Sequence, residues 1–76
     1  MVVIFSEHSK LKLGQRNLTK EKVIQTLGEP DIVTVTYGDR KAAYKKFEKL
    51  YLKVIFKEEN RNIIVITQHW DKNFNL

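Results

Sequence analysis

The stretch Ile32-Val33-Thr34-Val35-Thr36-Tyr37-Gly38-Asp39-Arg40-Lys41 decides how this chain folds. Its first six residues are uncharged; five are β-branched and the sixth is aromatic, a composition that suits a pleated strand. Gly38-Asp39 then supplies a hairpin turn. Lys41 to Phe47 reads as a second strand, and Glu48-Lys49 as a tight turn. Leu50 to Lys57 alternates cleanly, with Leu52, Val54 and Phe56 on one side and Tyr51, Lys53 and Ile55 on the other. Glu58 to Arg61 is a polar turn. Asn62 to Trp70 contains the apolar run Ile63-Ile64-Val65-Ile66, expected of a central strand buried on both faces. The four strands make an antiparallel meander.

Upstream of Ile32 the period is helical. Ser6 is a good N-cap, and Glu7 places negative charge in the first turn of a helix reaching to about Arg16. Asn17 suits the left-handed residue that closes a helix, with Leu18 as its hydrophobic contact. Thr19 caps a second helix, where Leu18 can staple onto Val23. Val23, Ile24 and Leu27 form its apolar stripe, and Gly28 and Pro30 end it. Met1 to Phe5 is available as an extra strand, and 71–76 reads as a frayed tail. The expected fold is a single α+β domain over 1–76, with two N-terminal helices on one face of a four-stranded antiparallel meander sheet.

If both tight turns contain two residues, the register follows. Ile32, Ala43, Phe47, Leu52, Val54 and Phe56 then face the helices. Val33, Val35, Arg40, Tyr44, Lys46, Tyr51, Lys53 and Ile55 share the open face. Such a basic, aromatic-dotted face suits RNA, with tyrosines stacking bases and lysines holding phosphates. The alternative is a lysine-rich surface that only keeps a small sheet in solution.

Charge and composition narrow the function classes. Fourteen Lys and Arg against nine Asp and Glu give a formal +5 on 76 residues, which favours acidic partners. With no cysteine, neither disulfides nor thiolate metal sites are available. Met1 to Phe5 is too short for a signal peptide or a membrane span. A cytoplasmic location, no membrane partner, and a monomer or weak homodimer are the expectations.

His8, Lys12 and Arg16 stand four residues apart, so their side chains form one stripe along the first helix. An imidazole moves protons near neutral pH, while two fixed cations stabilise charge developing on a phosphate. The competing reading is an ordinary solvated helix face. Metal catalysis finds no H-x-x-x-H or D-x-D pair, and His8 and His69 lie far apart. No Gly-rich phosphate loop or nucleophile elbow is present, and no cofactor is expected.

The run His8-x-x-x-Lys12-x-x-x-Arg16-Asn17-Leu18-Thr19, followed by Val23 and Pro30-Asp31, resembles an uncharacterised domain family of bacteria and archaea. That family is placed near the RelE/ParE-type toxins, among metal-independent ribonuclease folds. Arg40 after the first hairpin turn, Leu52 to Ile55, and Ile66-Thr67 extend the likeness over about residues 5–70. Asn17 departs from the family's glycine and Lys12 from its commoner arginine, so bidentate phosphate gripping is lost there. The resemblance implies a RelE-like sheet with the active site on its open face or rim.

It also implies a toxin-type endoribonuclease, in which the ribose 2′-hydroxyl attacks the neighbouring phosphate to leave a 2′,3′-cyclic end. His8 would be the general base or acid; Lys12, Arg16 and Arg40 would neutralise the phosphorane. Lys53 would assist binding beside Lys46, Tyr44 or Tyr51 would stack a base, and Thr67 would hydrogen-bond a phosphate oxygen unless it is a core residue. The expected partners are RNA, free or on the ribosome, and an acidic antitoxin. Other readings are a non-catalytic module for nucleic acid or protein and a toxin with a protein target.

Overall fold

The computed structural model describes residues 2–15 and 17–74. The elements run β1 (Val3–Phe5), α1 (Glu7–Gln15), α2 (Lys20–Gly28), β2 (Ile32–Val35), β3 (Arg40–Phe47), β4 (Leu50–Glu59) and β5 (Asn62–Asp71). The domain is α+β, and its five strands lie in the order β1-β5-β4-β3-β2. The last four strands form the antiparallel meander, and β1 joins it parallel to β5 through Val3–Phe5.

The caps work as the sequence leads one to expect. The Ser9 amide donates to Ser6 Oγ at 3.1 Å at the start of α1. Asn17 takes φ 54, and the Leu18 amide donates back to the Leu13 carbonyl, closing the helix in the left-handed manner. Thr19 Oγ1 accepts from the Lys22 amide and caps α2. One position in α2 departs from the expected stripe. Val23 and Thr26 are buried and Leu27 packs on the core, whereas Ile24 is exposed. Positions 23, 26 and 27 share a helical face; position 24 lies about 100° around the axis from 23.

Both helices pack on one side of the sheet. Leu13, Leu18 and Val23 meet Leu52, Val54 and Val65, with Val3, Phe5, Leu27, Phe47 and Trp70 around them. The opposite side carries no helix among the described residues.

Two register details redistribute side chains between the faces. The β3–β4 turn is the expected two-residue type, pairing Phe47 with Leu50 around Glu48 at φ 59. The β2–β3 turn is longer. The Thr36 amide donates to the Arg40 carbonyl, Val35 pairs with Lys41, and the loop between is Tyr37, Gly38 and Asp39. One extra loop residue inverts all of β2. Ile32 therefore lies on the open face beside Tyr44, while Val33 and Val35 turn to the helix side, correcting the two-residue reading. The second detail is a β-bulge opposite Ile55 and Phe56, which pair with Thr67 and Val65 and leave Ile66 extra. Before it Val65 faces the helices; after it Gln68 and Trp70 do. Simple alternation cannot register this change of phase.

The β4–β5 turn holds Asn60 and Arg61 at φ 52 and φ 66, as a type I′ turn demands. Asparagine tolerates this region, but an arginine there is strained. Arg61→Gly is expected to stabilise the domain by about 0.5–1 kcal/mol. Thermal unfolding should show a midpoint about 4–8 °C higher per kcal/mol. A lowered midpoint would contradict the turn assignment.

Candidate functional site: the open face of the sheet

Strand pairing fixes which side chains share the open face. One row reads Ile4, Ile64, Lys57 and Arg40, and the next Thr67, Ile55, Ala42 and Thr34. The third reads His69, Lys53, Tyr44 and Ile32, and the last Asp71, Tyr51 and Lys46. Two cations thus sit opposite one another on neighbouring strands, Arg40 facing Lys57, while Lys53 faces the imidazole of His69. Like charges in directly opposed positions destabilise a sheet. Glu59 offsets part of this at 3.3 Å from Lys57. Arg40 and Lys46 make no ion pair with any described residue.

Of the candidate RNA-binding residues, Lys46, Tyr51, Lys53 and Thr67 lie on this face beside Arg40, and all reach solvent in some measure. Tyr44 is there too, but only 7% exposed. The expected frayed tail is the cause. Asp71 ends β5, and its Oδ1 accepts the amides of Asn73 and Phe74 at 3.0 and 3.1 Å. This turn lays the Phe74 ring on Tyr44, centroids 4.0 Å apart and 11° from parallel, with its edge against Tyr51 at 5.0 Å. The Lys53 ammonium lies 5.6 Å from the Tyr44 centroid. Phe74 therefore occupies the position that a stacked base was expected to take. Phe74→Ala is expected to cost about 0.5–1.5 kcal/mol through loss of this stack, read by urea denaturation. An unchanged midpoint would mean that the tail does not hold the ring there.

The helical stripe stands elsewhere. α1 packs on the helix side of β5 through Ser9 and Leu13, and His8, next to Ser9, is exposed. Lys12 is half-buried, its ammonium 3.1 Å from Gln15 Oε1. Arg16 lies outside the described residues. Arg40 opens β3, two strands from β5, and projects from the other face. Two strand spacings span about 10 Å, before the thickness of the sheet is added. The proposed grouping of His8 and Lys12 with Arg40 around one phosphate is thus divided by the sheet, because α1 and the β2–β3 hairpin serve different faces.

Lys57 and His69 were missed in the sequence. Lys57 could have been found from clean alternation in β4; His69 was hidden by the bulge. A concavity lies away from all these residues. It is a cleft of about 460 Å³ lined by Lys22, Phe47, Glu48, Lys49, Leu50 and Trp70 on the helix side. Phe47 and Trp70 meet edge to face at 6.0 Å, with the Lys22 ammonium 5.7 and 5.5 Å from their centroids. This is the aromatic end of the core beneath α2.

Among the described residues no group of three or more His, Asp or Glu is placed to hold a metal ion, and no helix is long and apolar enough to cross a membrane. No family model, curated protein or solved structure matches this chain.

Proposed function

We propose that this chain binds an unpaired segment of RNA across the open face of its sheet. The observation that carries the reading is the alignment of Arg40 against Lys57, with Lys46 and Lys53 beside them, on a face that no described helix covers. A surface shaped only for stability would alternate charges there; a phosphate backbone relieves the repulsion. Lys46 extends the cationic surface, and the hydroxyls of Thr34 and Thr67 add donors for phosphate or ribose. Two helices ahead of a meander sheet also suit the RelE/ParE-type likeness. An acidic partner protein would compete for the same face.

The test is fluorescence anisotropy with a labelled single-stranded RNA over a range of salt concentrations. Four phosphate contacts predict that log K falls against log salt with a slope near −3, at about 0.7 per contact for single strands. No binding at low salt would reject the reading.

Endoribonuclease action is a separate proposal, because His8 and Lys12 stand on the helix side and not on the open face; it rests on the exposed imidazole of His8, with Lys12 one turn further along α1. Incubation of RNA in chelator should then yield 2′,3′-cyclic ends, and His8→Ala should abolish cleavage while leaving binding intact. Intact RNA leaves the binding module as the better account.

A further inference from the structure

Building on RNA binding at the open face, we propose that the turn at 71–74 regulates that face by competing for it. Phe74 stacks on Tyr44 in the place of an unpaired base, and a bound base displaces it.

The surroundings of Tyr44 suit a nucleotide. Lys53 stands directly opposite it on β4, and Tyr51 is likewise opposite Lys46. Each ring therefore has an ammonium group one strand away, about 5 Å across the sheet. A flat apolar surface beside a cation is what an unpaired nucleotide engages with its base and its phosphate. The Phe74 ring shows that a planar group fits on Tyr44, with centroids 4.0 Å apart and planes 11° from parallel. Centroids this close leave little lateral offset. Two such rings prefer an offset stack or an edge contact at about 4.5–7 Å, so the pair sits at the weak end of aromatic contacts.

The platform is fixed and its occupant is not. Tyr44 lies inside the sheet, paired with Ile32 on one side and Lys53 on the other. Phe74 lies beyond β5, which ends at Asp71. Two amide bonds to Asp71 Oδ1 fasten the turn, at 3.0 and 3.1 Å, the first exposed and the second part-buried. An aromatic pair shifts an equilibrium by about 2- to 13-fold, and a base on an aromatic ring by about 5- to 150-fold. The exchange favours the base. Without RNA the turn keeps Tyr44 covered, at 7% exposure, and lowers the affinity of the face for bases by about what the ring pair contributes.

Fluorescence anisotropy at low salt tests this with two labelled strands, a single-stranded RNA and an abasic strand of the same length and charge. Phe74→Ala should bind the RNA about 2- to 13-fold more tightly than wild type, and the abasic strand no differently, with unchanged far-UV circular dichroism. Phe74→Ala/Tyr44→Leu should lose that gain. Fluorine NMR of the wild-type chain carrying fluorophenylalanine gives a reading that needs no folded Tyr44 variant. The resonance missing from Phe74→Ala should move on adding RNA and stay in place on adding the abasic strand. Equal or weaker RNA binding by Phe74→Ala overturns the proposal and leaves RNA binding standing. So does a Phe74 resonance unmoved at saturating RNA. If neither wild type nor Phe74→Ala binds either strand, RNA binding itself falls, and this control with it.

Discussion

Replacing Gln68 with leucine is expected to destabilise the domain by about 2–4 kcal/mol. Gln68 and Ser9 are both completely buried, one on β5 and the other on α1. Gln68 Oε1 accepts from Ser9 Oγ at 2.5 Å, and Gln68 Nε2 donates to the Ser9 carbonyl at 3.0 Å. Leucine nearly preserves the volume, so packing loss is small. The cost comes from a serine hydroxyl left in an apolar layer without its acceptor, and from a carbonyl stripped of its second donor. In a domain of this size each kcal/mol moves the thermal midpoint by about 4–8 °C, so the fall should be roughly 10–30 °C. Ser9→Ala/Gln68→Leu removes both partners together and should recover a large part of the loss. If the single substitution unfolds within about 0.5 kcal/mol of wild type, this pair does not anchor α1 to the sheet.

The second large effect concerns function. Arg40→Gln/Lys53→Gln is expected to weaken RNA binding about 10- to 100-fold at low salt and to flatten the salt slope by about 1.4, two contacts at 0.7 each. The control is Lys10→Gln/Lys20→Gln, which removes the same charge from α1 and α2. That double variant should keep the wild-type slope. Equal losses in the two doubles would mean that net charge attracts the RNA without any particular face, and the proposed site would fall.

Much of the architecture is legible in local chemistry. Ser6, Asn17 and Thr19 mark helix boundaries through hydrogen bonds made within a turn of themselves, so no distant residue is needed to interpret them. The Glu48-Lys49 turn and the alternation of β4 are equally local. The site is less legible, since it depends on which face each strand presents. Gly38-Asp39 looks like a two-residue turn, yet Tyr37 joins the loop and β2 turns over. The bulge at Ile66 is invisible in an unbroken apolar run. Ser6 Oγ donates to the Ile66 carbonyl at 3.0 Å, tying the start of α1 to the bulge.

The stripe of His8, Lys12 and Arg16 shows the limit of spacing arguments. Helical spacing says which side chains share a helix face; it cannot say which other elements that face meets. Arg40 was joined to the stripe by resemblance, and the layer order separates it from His8 and Lys12. Phe74 is the converse case. A polar terminus gives no sign that an aromatic ring will fold back, because the surface that receives it is assembled from β3 and β4.

By itself the amino-acid order determined the helix caps, the four strands of the meander and the excess of positive charge, since each rests on contacts between near neighbours in the chain. Only the tertiary structure decided that Val33 and Val35 turn to the helix side, that His69 joins Arg40 and Lys53 on the open face, and that Phe74 covers Tyr44. A strand's face is set by hydrogen bonds to partners remote in sequence, and one residue gained in a loop or a bulge reverses it.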